Sequence, residues 1–308
     1  MVYDLSNLLV IGISSRALFD LSKENEIFEK EGLEAYCRYQ LEHENDILKP
    51  GAGFALINSM LQINQIDENI RRIEVVIISR NSADTSLRIS NSIDYYNLDV
   101  TRAVFTGGEP VARYLNAFDV DLFLSASEED VQTAVKSNVA SGLIYDSPSA
   151  HPQDRLEQIR IAFDGDAVLF SEESEIIYQR EGLEAFIEHE KINAKKPLPE
   201  GPFAKLLKTL SFLQFELDSK QHQKVPPIRT ALVTARNSPA HERVIRTLRT
   251  WNVRIDETFF LGGVPKDKIL AAFSPHIFFD DQHRHCDPAS KLVPTARVPY
   301  KKGDIKSA

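Results

Sequence analysis

Apolar residues in this 308-residue chain gather in two ways. Some form short unbroken runs: "LLVIGI" at 8–13, "VVIIS" at 75–79, "IRIAF" at 159–163, "TALVT" at 230–234 and "HIFFD" at 276–280. Others recur every three or four positions within polar stretches, as in "EGLEAFIEHE" (181–190), "PFAKLLKTLSFLQF" (202–215), "HERVIRTLRTW" (241–251) and "PKDKILAAF" (265–273). The first pattern predicts strands and the second amphipathic helices. A further short strand is predicted near "TFF" at 258–260. Strands alternating with helices build a parallel sheet, and strands without polar alternation require cover on both faces. The expected fold class is therefore α/β, with Rossmann-like parallel sheets covered by helices.

The pattern is written twice. "EKEGLEAYCRYQ" at 29–40 returns as "QREGLEAFIEHE" at 179–190, an offset of 150. The same offset lays "IGISSRAL" (11–18) over "IAFDGDAV" (161–168). "SRNS" at 79–82 matches "ARNS" at 235–238, "FTGGEP" at 105–110 matches "FLGGVP" at 260–265, and "DLFLSA" at 121–126 matches "HIFFDD" at 276–281. Five segments in the same order imply an internal duplication, with copies expected at 1–150 and 151–308. The polar, turn-forming stretch "DSPSAHPQDRL" at 146–156 is the expected linker.

Composition narrows the function classes. With 36 basic and 45 acidic residues the formal charge is −9, spread without long single-sign blocks. Such a balance offers no electrostatic footprint for nucleic acid or for an anionic membrane. Cys37 and Cys286, without CxxC spacing, argue against a disulfide framework or structural zinc. The start lacks a basic n-region, and no apolar stretch is long enough to span a bilayer. A soluble, cytoplasmic protein is expected.

The duplication acts as an internal control. Asp164 and Asp166 of the second copy face Ser14 and Arg16 of the first, and Asp280 and Asp281 face Ser125 and Ala126. Thr234 is set against Ile78, and Lys266 against Val111. Any one of these would pass for a cap or turn residue, since an aspartate after a strand commonly caps the next helix. The Asp-Gly-Asp stretch also lacks the later glycine and glutamate of a calcium loop. What gives them a chemical reading is that four carboxylates, a hydroxyl and an amine all lie at strand ends or in the loops beyond them and are jointly absent from the twin. Ligands of such sheets bind at the carboxyl ends of the strands.

"DGDAV", "LVTAR", "PKDKIL" and "FFDD" resemble the four ordered motifs of the haloacid dehalogenase (HAD) phosphohydrolase superfamily. More closely, "AFDGDAVLFSEESE", "EHEK", "LVTARNS" and "HIFFDDQ" resemble the cytosolic 5′-nucleotidase type I family. The likeness reaches into the first copy at "SSRALF", "YCRYQLEHEN" and "TGG". It implies two HAD-like copies with helical cap insertions, the second catalytic and capped by about 171–225, the first lacking the carboxylates and serving as lid, nucleoside-binding or regulatory unit. Ala167-Val168 stand where the wider superfamily commonly has Gly-Thr after the second aspartate, a departure shared with the type I nucleotidases.

The resemblance implies roles residue by residue. Asp164 is the nucleophile and Asp166 the acid/base, whose backbone carbonyl also ligates Mg²⁺. Thr234 holds a phosphate oxygen and Lys266 offsets transferred charge. Asp280 and Asp281 complete a Mg²⁺ shell with Asp164 and Asp166. This suits a phosphate monoester, because its dianion repels a nucleophile until its charge is neutralised. Arg236, Asn237 and Ser238, just after Thr234, are candidate substrate contacts. So are Arg16, Arg80, Asn81 and the Thr106-Gly107-Gly108 loop. His241 and His283 lie near the site in sequence, with no second histidine at ligand spacing. The implied activity is Mg²⁺-dependent hydrolysis of nucleoside 5′-monophosphates, AMP favoured, through an aspartyl-phosphate. Alternatives are a HAD phosphatase for another small phosphomonoester, or a nucleotide-sensing module with secondary turnover. A nucleotide effector is implied as a partner, homo-oligomers are compatible, and neither nucleic acid nor membrane is expected.

Overall fold

The computed structural model describes residues 4–5, 7–67, 69–145, 158–220, 225–237 and 240–299. The linker expected at 146–156, and Ser238, lie outside these described residues. The chain divides into two compact units, Met1–Gln153 and Asp154–Ala308.

The first unit contains β1 (Leu9–Ile13), β2 (Phe19–Asp20), β3 (Lys49–Pro50), β4 (Ile73–Ser79), β5 (Arg102–Phe105), β6 (Leu122–Ser125) and β7 (Ala140–Ile144). Five of them form parallel neighbours in the order β7-β6-β1-β4-β5, while β2 and β3 make a small antiparallel pair. The second unit contains β8 (Ile159–Phe163), β9 (Ile228–Thr234), β10 (Glu257–Phe260), β11 (Ile277–Asp280) and β12 (Thr295–Arg297). These are also parallel neighbours, in the order β10-β9-β8-β11-β12. The two orders are the same once β1 is matched with β8.

The inner strands are buried almost throughout, β1 and β4 at every position, which explains why their sequences show no polar alternation. β5 and β10, each at one end of its strand order, have no fully buried position. In the second unit Ala231, Val233, Leu270 and Phe278 meet in one cluster. Their counterparts Val76, Ile78, Leu115 and Phe123 do the same in the first, each at an offset of 155. That register corrects one reading of the sequence. The counterpart of Thr234 is Ser79, not Ile78: the Leu261 N–H donates to the Thr234 carbonyl as the Thr106 N–H does to that of Ser79, at 2.9 and 3.0 Å. The shared "RNS" letters drew the match one residue out of step.

The insertion between β8 and β9 is helical, Glu173–Ile192 and Ala204–Lys220. Its first helix is broken at Gly182, which has φ 86° and ψ −176°. Gly32 separates Ser22–Glu31 from Leu33–Glu42 in the first unit with φ 85° and ψ −177°. Only glycine adopts this conformation cheaply. The Glu-Gly-Leu-Glu-Ala block, the strongest repeat in the sequence, therefore encodes one kink made twice. Among the described residues no helix is long and apolar enough to cross a membrane.

Candidate active site

The chain leaves β8 for β9 and β10 on one side of the sheet, then returns through β11 to the other. The carboxyl ends of β8 and β11 thus flank the point where strand order reverses, the usual crevice of an open α/β sheet. Asp164 follows β8 directly and Asp280 ends β11. The Asp164 N–H donates to the Phe279 carbonyl at 2.8 Å, which extends the strand pairing to the carboxylate itself.

Lys266 joins the two. Its Nζ lies 2.8 Å from Asp164 Oδ1 and donates to Asp280 Oδ2 at 2.6 Å, with all three side chains buried. Asp280 Oδ1 accepts the Gln282 N–H at 2.9 Å, and His285 Nδ1 stands 3.1 Å from Oδ2. Burial pushes the Asp164 carboxyl up to about 7, with Lys266 pulling against it and Asp280 and Asp166 adding to it. For Asp280 burial acts the same way, but Lys266 and His285 outweigh it and hold the group low. Lys266 is raised by its two carboxylates despite burial. The site thus concentrates negative charge and keeps one ammonium to share.

Asp166 faces elsewhere. Arg236 grips it through two hydrogen bonds, Nε to Oδ2 at 2.8 Å and Nη2 to Oδ1 at 2.6 Å. The remaining Nη1 of Arg236 reaches Glu190 Oε2 at 2.5 Å, and Arg243 Nη1 reaches Glu190 Oε1 at 2.9 Å. Ser174 donates to Glu190 as well, at 2.9 Å. Glu190 and Ser174 belong to the inserted helix Glu173–Ile192, so the network ties the insertion to the loop after β8. Asp166 sits in a turn whose next residue, Ala167, has φ 60°, the left-handed region that a residue with a Cβ enters at some cost.

Thr234, at the end of β9, accepts the Arg236 N–H on its Oγ1 at 3.2 Å. A Cβ on Gly165 would stand 3.3 Å from that oxygen, so the hydroxyl borders the Asp164–Gly165 loop closely. Asp281 is buried beside Asp280. Asn237 is exposed. Arg16, Arg80, Asn81, Gly107 and Gly108 all line one cavity within the first unit, while Thr106 Oγ1 donates to the Glu109 carbonyl at 2.6 Å. His283 is exposed, and the histidine that approaches the carboxylates is His285.

Oxygen donors that converge in a buried site suit a hard divalent cation. Asp164, Asp280 and His285 each offer a ligand atom within 4.8 Å of the others. His285, Glu190 and Arg243 escaped the sequence reading. Arg243 carried a usable signal, since Arg88 stands at its place in the first copy, 155 residues earlier.

A Rossmann-like α/β fold with an acid–lysine cluster at its strand-order reversal defines the class. A family model described as 5′-nucleotidase matches residues 1–304, and the chain belongs to that family. It is 38% identical over 302 residues to human cytosolic 5′-nucleotidase 1B, covering 96% of this chain and 49% of that protein. The chain thus spans about half the length of the curated relative it matches.

Proposed function

We propose that this chain is a Mg²⁺-dependent 5′-nucleotidase that hydrolyses nucleoside 5′-monophosphates, AMP foremost, to nucleoside and phosphate. The reading rests above all on the buried Asp164–Lys266–Asp280 cluster in a chain of the 5′-nucleotidase family. The preference for AMP follows the likeness to the type I nucleotidases. The name of the human relative speaks for a cytoplasmic enzyme.

Asp164 attacks phosphorus with a carboxylate oxygen, the ester P–O bond breaks, and Asp166 gives a proton to the departing nucleoside oxygen. Water then attacks phosphorus of the aspartyl-phosphate, the bond from Asp164 oxygen to phosphorus breaks as phosphate leaves, and Asp166 takes the water's proton, which returns Asp164 as a carboxylate and Asp166 as the acid. Because both Asp166 oxygens accept from Arg236, the arginine has to yield at least one hydrogen bond for this exchange. In this reading Thr234 holds a phosphate oxygen and Lys266, which borders Asp164, offsets the charge as it moves. Asp164, Asp280, the Asp166 carbonyl and Asp281 would hold a divalent cation, which would supply the positive charge that lets dianion and nucleophile approach.

The test is phosphate release from AMP, IMP, GMP, a deoxynucleotide and a sugar phosphate, with Mg²⁺ and with EDTA. Nucleotides are expected to lead and EDTA to abolish turnover. A sugar phosphate in first place, or activity unaffected by EDTA, would overturn the reading.

A further inference from the structure

Proton transfer at Asp166 meets an obstacle in the site as it stands. Arg236 donates to both Asp166 oxygens, at 2.8 and 2.6 Å, and its side chain is only 2% exposed. An arginine that let go in such a place would be a buried charge without a counter-ion, a costly state. A second carboxylate stands behind it. Glu190, whose side chain has no exposed surface, accepts from Arg236 Nη1 at 2.5 Å on Oε2. Its Oε1 accepts from Arg243 Nη1 and from the Ser174 hydroxyl, both at 2.9 Å. Arg243 is fixed in turn, since its Nε donates to the Lys196 carbonyl at 3.1 Å. Glu190 is thus held through one oxygen and holds Arg236 through the other.

The duplication separates the structural part of this network from the rest. Arg243 and Arg88 stand at matching places, and each pairs with a buried carboxylate: Glu190 in the second unit, Glu24 in the first, where Arg88 Nη1 lies 2.5 Å from Glu24 Oε1. Glu24 occupies the place of Ser174. An arginine anchored to a buried acid is therefore common to both units, with or without the catalytic carboxylates. The line from Asp166 through Arg236 to Glu190 is not. Its positions hold Arg16, Asn81 and Gln40 in the first unit. Gln40 Oε1 still accepts from Arg88 at 3.3 Å, so an amide serves where only that anchor has to be met. The carboxylate at 190 goes with the presence of Arg236 and Asp166.

We propose that Glu190 is a positioning residue for proton transfer at Asp166: it balances Arg236, so that the arginine orients Asp166 and can release one of its oxygens without being stranded. The role rests on the nucleotidase reading, in which Asp166 is the acid and base. When one hydrogen bond from Arg236 to Asp166 opens, the Nη1 bond to Glu190 remains and the guanidinium keeps a counter-charge. The freed oxygen gives its proton to the departing nucleoside oxygen as the ester P–O bond breaks and Asp164 bonds to phosphorus. In Glu190→Gln the arginine has Asp166 alone to balance it, grips both oxygens, and slows that transfer.

A leaving group that needs no proton isolates this step. AMP with sulfur in place of its bridging ester oxygen keeps the outline of the substrate, but its thiolate departs as an anion. kcat/KM reports transfer to Asp164 and departure of the leaving group, before water attacks. With Mg²⁺, and below the Tm of each variant, Glu190→Gln is expected to lower kcat/KM for AMP roughly hundredfold and for the sulfur ester less than about threefold. The double variant Glu190→Gln/Arg236→Asn follows the first unit's Gln40 and Asn81 and leaves no arginine at 236 to strand. It should show the same selective loss on AMP. Equal losses on the two esters would mark a purely structural role and overturn the proposal, as would AMP hydrolysis at the wild-type rate in either variant. A wild type that releases phosphate from neither ester would defeat the nucleotidase reading, and this role with it.

Discussion

Glu190 is the residue that joins the inserted helix Glu173–Ile192 to the loop after β8. Its side chain is buried between Arg236 and Arg243, and Arg236 carries the connection on to Asp166. Burial alone would raise its carboxyl, but Arg236, Ser174 and Arg243 together hold it below its usual value. Removing one member of such a network leaves buried charge uncompensated, so Glu190→Gln is expected to cost about 3 kcal/mol in urea unfolding. The pH dependence has a definite sign. A depressed carboxyl stabilises the fold above its unfolded value of 4.5 and loses that contribution as pH falls through the folded value. The gap in Tm between wild type and Glu190→Gln should therefore be full at neutral pH and shrink on acidification below 4.5. A gap that stays constant down to pH 3 would contradict the ion-pair account.

At this scale the sequence was legible where chemistry left a difference between copies. Asp164, Lys266 and Asp280 stood out because Ser14, Val111 and Ser125 replace them, and the fold brings them within hydrogen-bonding distance. Partners defined by long-range contact were not legible. Glu190 lies 46 residues from Arg236 and 53 from Arg243, and no local pattern announces either meeting. His285 approaches Asp280 only because a helix turns back over the strand end.

Elements were easier to read than their edges. The continuous apolar runs became β1, β4, β8, β9 and β11, since a strand covered on both faces is apolar at most positions. β12 went unread because three residues, "TAR", carry too little pattern to separate from a loop. The kink in the helix Glu173–Ile192 is a property of the element, and it can be tested there. Gly182→Ala places a Cβ that meets nothing within 4 Å, so its expected cost of about 2 kcal/mol is purely conformational. At Gly201 the situation is reversed. A Cβ there would lie 2.4 Å from the Phe170 carbonyl oxygen and 2.6 Å from that of Val168. Gly201→Ala should cost about 3 kcal/mol or more, and should also lower turnover because the pushed segment continues the Asp164–Asp166 loop. Equal costs for the two variants would sink this distinction between backbone strain and backbone collision.

Across the whole molecule, one strand order has been used twice with different outcomes. The hydrophobic positions that coincide, such as Ile78 with Val233 and Phe123 with Phe278, maintain the fold in both units. The polar positions at the strand ends have separated into a charged set and a hydroxyl set. Ser14→Ala, at the place of Asp164 in the first unit, should leave phosphate release from AMP at the wild-type rate. A marked loss of turnover would show that the first unit takes part in the chemistry. The duplication itself was plain in the sequence, because its five matched blocks fall where the fold is least tolerant: strand cores, the glycine kink and the strand-end turns.

The central claim is that a single carboxylate, at the tip of β8, accepts the phosphoryl group. Phosphate release from AMP in the presence of Mg²⁺, compared between wild type and Asp164→Asn, addresses it most directly. The amide cannot act as nucleophile, and the variant is expected to fall by roughly three orders of magnitude or more while remaining folded. Release at the wild-type rate from a folded Asp164→Asn protein would contradict the account.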